Sequence, residues 1–93
     1  MKLRITKSFM DKLNEQIKYI AQDKPGAARK LKTHILHDLQ NISEMPYMNR
    51  KSIFFERDDI RDLIIKGYVI VYKINEKENS IEVFGFTKYQ KNL

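Results

Sequence analysis

The sequence predicts an α+β fold in which an N-terminal strand is followed by an antiparallel helical hairpin packed on a small antiparallel sheet, in the order β-α-α-β-β-β. Three observations carry this expectation. Apolar residues recur at helical spacing in two successive blocks between Ser8 and Ile42. They then change to strand-like runs in "DIRDLIIKG", "YVIVYKIN" and "SIEVFGFT", rich in β-branched and aromatic residues. The links between those last three runs are too short for parallel crossovers and fit a meander of hairpins.

Taken in order, "KLRIT" (Lys2 to Thr6) alternates, with Leu3 and Ile5 on one side and Lys2 and Arg4 facing water. From Ser8 the period changes. Phe9, Leu13, Ile17 and Ile20 fall on one helix face, and Ser8 with Asp11 offers a capping pattern, so a helix is expected from about residue 8 to 22. "QDKPG" interrupts it because Pro25 lacks an amide proton and biases Lys24 away from helical angles. Pro25 also suits the first turn of a second helix, capped by Asp23 or Lys24, whose apolar stripe is Ala28, Leu31, Ile35, Leu39 and Ile42. "SEMPYMNRKS" (Ser43 to Ser52) has no sustained period and reads as a loop. Three strands follow, the last two joined by the turn "EKEN", and a helical hairpin on one sheet face leaves the other free to take a ligand.

The totals bound the function. A chain of 93 residues is expected to form one domain, 1–93, with one modest core. Its 18 Lys+Arg against 12 Asp+Glu give a net charge of +6, which favours an anionic partner such as nucleic acid or an acidic protein segment. The absence of cysteine excludes a disulfide framework and a thiolate metal site. No apolar run approaches the roughly 20 residues that span a bilayer, and Met1 to Asp11 is too polar for a signal peptide, so a cytoplasmic protein is expected.

No Gly-rich phosphate loop, nucleophile elbow or zinc signature is present, and no cofactor or metal is expected. His34 and His37 share a helix, but without a third histidine or any cysteine they read as surface residues. Arg29, Lys30 and Lys32 form, with His34, a basic helical face uninterrupted by acid from Lys24 to His37, either solvated surface or a partner-binding site. Arg61 shares strand parity with Leu63 and Ile65, and an arginine in so apolar a run needs a carboxylate, a carbonyl or a ligand phosphate. Lys73 leaves its strand on the side opposite Tyr72 and Ile74. At the end of the chain Lys88 and Lys91 bracket Tyr89 and Gln90. Gathered on one surface, Arg61, Lys73, Lys88, Tyr89 and Lys91 would supply what metal-free RNA cleavage needs: help for the attacking 2′-hydroxyl, cations for the crowded phosphate and an acid for the leaving oxygen. Dispersed, they are a solvated strand lysine and a charged terminus.

The ordered set "FMDKLNEQIKYIAQDKPGAARKLKTHILHDLQNISEMP", "IRDLIIKGYVIVYKI" and "SIEVFGFTKYQKN" resembles the RelE/ParE superfamily of type II toxin-antitoxin toxins over nearly the whole chain. The middle block carries the family pattern of an arginine, Gly-Tyr, a second tyrosine and a basic residue, here Arg61, Gly67, Tyr68, Tyr72 and Lys73. The resemblance implies a RelE/ParE-like fold and a toxin neutralised by a cognate antitoxin that wraps and masks its working surface in a hetero-oligomer. Tyr68 and Tyr72 join Arg29, Lys30 and Lys32 as candidate partner-binding residues. Members resemble either RelE, a ribosome-dependent mRNA endoribonuclease, or ParE, an inhibitor of DNA gyrase. Many have a histidine near the end of the last strand, where this chain has Lys88, followed by Tyr89, Gln90 and Lys91. The long hairpin with "DKPGAARKL" is similar to the ParE side. The expected function is therefore gyrase inhibition, with mRNA cleavage as the alternative and an inert antitoxin-binding module as a third reading.

Overall fold

A computed structural model describes residues 1–89 of the chain. Its elements are β1 (Lys2–Ile5), α1 (Lys7–Ala21), α2 (Pro25–Glu44), β2 (Arg50–Lys51), β3 (Ile60–Ile65), β4 (Tyr68–Asn75) and β5 (Ser80–Lys88). The strands form one sheet in the order β1-β5-β4-β3-β2. The expected α+β arrangement is present, with a fifth strand at one edge and with β1 running parallel to β5, so the sheet is mixed rather than wholly antiparallel.

Thr6 begins α1. It leaves β1 in an extended conformation, and its hydroxyl accepts the Phe9 N–H at 3.1 Å, satisfying one of the amide donors that a helix start leaves unpaired. The expected cap at Ser8 is therefore displaced by Thr6, the residue that follows the preceding strand. Lys24 occupies the N-cap of α2 without a side-chain hydrogen bond, and Pro25 opens the helix. Phe9 and Leu13 of α1 and the full α2 stripe are buried. All of these but Ala28 pack on Ile65, Ile70, Tyr72, Ile74, Ile81, Val83 and Phe86, the helix-facing side chains of β3 to β5.

Two turns set the strand register. Lys66 and Gly67, at φ 50° and 85°, form the two-residue β3–β4 connection, whose left-handed angles match the twist of a hairpin. Across β4 and β5 the pairing moves from Val71↔Gly85 to Tyr72↔Val83, leaving Phe84 as the extra residue of a β-bulge. A Cβ on Gly85 would stand 2.9 Å from the Cβ of Val71, so the bulge needs the smallest residue there.

The second sheet face differs from expectation. Its centre is closed by a small cluster of Ile60, Val69 and Val71 with Phe84, and Phe55 meets Phe84 edge-on at 5.9 Å. Residues 52–59 cross this face: the Ser52 N–H donates to the Ile60 carbonyl at 2.9 Å and the Ile53 N–H to Asp62 Oδ2 at 3.1 Å. The loop between α2 and β3 folds over apolar strand residues that would otherwise be wet. No helix of the described residues is long and apolar enough to cross a membrane.

Candidate functional site

Arg61 lies on the helix-facing side of β3, as its parity with Leu63 and Ile65 requires. Its guanidinium donates to the carbonyls of Asp58 (2.9 Å) and Asn49 (3.1 Å) and sits 5.1 Å from the centre of the Tyr47 ring. Of the partners such a group requires, the fold supplies carbonyls and an aromatic face. Beside it, the Tyr72 hydroxyl donates to the Pro46 carbonyl at 2.6 Å and accepts from Asn49 Nδ2 at 3.1 Å. Tyr72 is wholly buried. It therefore cannot serve as a partner-binding residue, and its work is to anchor the segment after α2. Burial raises the Tyr72 phenol above its ordinary value. The Tyr47 phenol is also raised, first by desolvation and then by the Glu76 carboxylate, while Arg61 pulls it down.

The remaining nuclease candidates lie elsewhere. Lys73 pairs with Ile60 and Glu82 and belongs to the opposite sheet face, near the Arg57–Asp59 ion pair. Arg57, helped by Lys73, holds the Asp59 carboxyl below its usual range. Lys88 shares the helix-facing side with Arg61, but it pairs with Tyr68 whereas Arg61 pairs with Tyr72. Four residues of strand separate them by roughly 13 Å along β4, with two strand spacings of about 10 Å across it. Tyr89 donates its N–H to the Gly67 carbonyl at 2.8 Å, at the Lys88 end. Lys91, like Gln90, lies outside the described residues. The fold thus leaves Arg61 and Lys73 apart from Lys88 and Tyr89, which is the dispersed of the two arrangements the sequence left open. Parity along a strand reports a side chain's face, not its distance from residues on other strands.

The basic helical face has neighbours that helical spacing alone did not reveal. Lys30 and His34 line a depression of about 370 Å³ together with Lys66, Ile20, Leu31 and Tyr68. Arg29 continues the basic lining on the outer side of α2. Tyr68, half-buried and stacked on Phe86 at 5.1 Å, also borders a second depression with Lys12, Tyr19 and Lys88. Lys32 is half-buried on the same helix. His37 faces Asp38 at 3.5 Å, and no cluster of metal-ligating side chains occurs among the described residues.

Asp62 escaped the sequence reading as a latch. It is 2 % exposed; Oδ2 accepts from Ile53 N–H and Arg50, while Oδ1 has no hydrogen-bond partner among the described residues. Its signal was an acid inside the apolar run "IRDLII", which demands donors, although those donors come from the unpredicted strand β2 and the loop after it.

Among known families, the model described as "ParE toxin of type II toxin-antitoxin system, parDE" matches residues 3–91. No curated protein shows significant similarity to the chain.

Proposed function

The chain belongs to the ParE toxin family of type II toxin-antitoxin systems, and from that premise we propose that it arrests growth by inhibiting DNA gyrase and is neutralised by a cognate antitoxin. The observation that favours this over mRNA cleavage is the dispersal of the cations a nuclease would need. Arg61 is held by two backbone carbonyls and Tyr47, Lys73 points from the other face, and Lys88 stands on β5 at the far end of the sheet. A phosphate in flight would meet at most one of them.

The antitoxin would place an acidic or amphipathic segment over Arg29, Lys30 and Tyr68, which line depressions that mix apolar and basic side chains, with Lys32 farther along α2 outside those linings. Purified toxin should block supercoiling or trap cleaved DNA while leaving ribosome-bound mRNA uncut. Codon-dependent mRNA cleavage that disappears in Arg61→Ala or Tyr89→Phe would replace this reading with the RelE-like one. Unchanged colony counts after induced expression would leave an inert binding module.

A further inference from the structure

Around the Lys66–Gly67 turn, cations converge from four separate elements with almost no acid among them. Lys12 of α1 and Lys88 of β5 line one depression, Lys30 of α2 and Lys66 of the turn line the next, and Arg29 extends the run along α2. Tyr68 borders the first two and Lys30 the last two, so the surface is continuous. Glu15 is the one acid on these linings.

The ion pairing of the molecule sharpens the contrast. Arg50, Lys51, Arg57 and Arg4 each meet a carboxylate within 4.0 Å. None of the five cations around the turn does so among the described residues. Like charges gathered along one continuous surface raise the local potential and favour a ligand that carries repeated negative charge. Aromatic side chains share these linings: Tyr19 is 66 % exposed, and Tyr68 lines both depressions. An acidic peptide would satisfy the lysines but has no need of exposed rings. A strand of nucleotides uses both, with phosphates on the cations and bases against the rings.

We propose that this face binds single-stranded DNA. The choice of DNA over RNA rests on the gyrase reading, since an enzyme that cuts and rejoins DNA presents strands near its inhibitor; the polyanion and ring chemistry do not depend on it. The test is fluorescence anisotropy of the whole protein with a labelled mixed-sequence oligodeoxynucleotide, titrated at several salt concentrations. Replacing Lys30 and Lys66 by alanine should weaken binding about tenfold and make the log–log salt slope shallower by about 1.4, at roughly 0.7 per lost phosphate contact. Lys12→Ala, on a different element, should lower the slope by about half as much. Tyr19→Ala should weaken binding by about fivefold or more with the slope unchanged, because a ring releases no counterions. Lys77→Ala, in the turn at the other end of β4, should bind like the parent. Equal binding by the parent and the Lys30/Lys66 variant overturns the proposal. So does tighter binding of RNA of the same sequence, or displacement of the labelled DNA by polyglutamate as effectively as by unlabelled DNA of equal charge. Gyrase is absent from the assay, so DNA binding without inhibition of supercoiling defeats the gyrase reading alone, and inhibition without DNA binding defeats this inference alone.

Discussion

Tyr72 anchors the end of α2 from inside the core, and its hydroxyl is the link: it donates to Pro46 and accepts from Asn49. Tyr72→Phe keeps the ring but strands both partners, which should cost about 1–2 kcal/mol in chemical denaturation. The same substitution has a pH signature. Because burial raises the phenol above 10.0 in the folded state, the neutral form is favoured by folding. That contribution is fully present below the unfolded value, about 10, and is lost as pH rises through the folded one. The parent should therefore lose stability more steeply than Tyr72→Phe at alkaline pH, and parallel curves would show that the phenol is not what titrates. Asp62 is the other buried group with a single-residue consequence. Arg50→Ala removes one of its two donors and should destabilise by about 2 kcal/mol, below the usual range for a fully buried pair because Arg50 is partly exposed. Adding Asp62→Val should restore part of that loss, since the carboxylate left behind is what destabilises. Neither effect was readable before the fold was known: an apolar run shows that Asp62 and Arg61 need partners, but not that a loop supplies carbonyls to one and amide N–H to the other.

At the scale of elements, the start of α1 separates two readings of one stretch. Thr6→Ala should lower stability by about 1 kcal/mol by removing the bond to Phe9 N–H. Ser8→Ala should stay within about 0.5 kcal/mol, because Ser8 is an exposed helical residue. Equal losses in thermal melts would restore Ser8 as the cap. The β4–β5 bulge makes a second element-scale prediction. Gly85→Ala forces a Cβ against Val71 and should cost about 1–3 kcal/mol, and Val71→Ala in the same chain should relieve part of it, giving a coupling that two independent sites would lack. These elements also show what was legible. The helical stripes were, because a period of 3.6 repeats within one element. The meander was, because its hairpins are local. β2 was not, since two residues carry no period, and the parallel seat of β1 on β5 joins residues almost eighty positions apart with nothing in the intervening chain to announce it.

Among the described residues charge is divided, with ion pairs around β2 and the loop that crosses the second sheet face, and cations that meet no carboxylate around the Lys66–Gly67 turn. Net charge alone predicted an anionic partner without saying where it would sit, and helical spacing located only the α2 portion of the surface. Lys12, Lys66 and Lys88 join it because α1, α2, the β3–β4 turn and the end of β5 contribute to neighbouring linings, a juxtaposition no single segment contains. If the antitoxin covers this same face, masking it is neutralisation, and nucleic acid and antitoxin must compete. This leads to a test in growing cells. Lys30→Glu with Lys66→Glu reverses the sign at the centre of the unpaired surface and should relieve growth arrest after induced expression. It should also weaken capture by the antitoxin, because both partners would lose the same complement. Lys73→Ala, on the other sheet face, should leave colony counts as low as the parent does. Both variants change solvent-accessible lysines, so their melting temperatures should stay close to the parent's and separate lost function from lost folding. Relief by Lys73→Ala at an unchanged melting temperature would move the working surface to the other face of the sheet and return the nuclease reading to consideration. Persistent arrest by the charge-reversed variant would mean that the cationic end serves only the antitoxin.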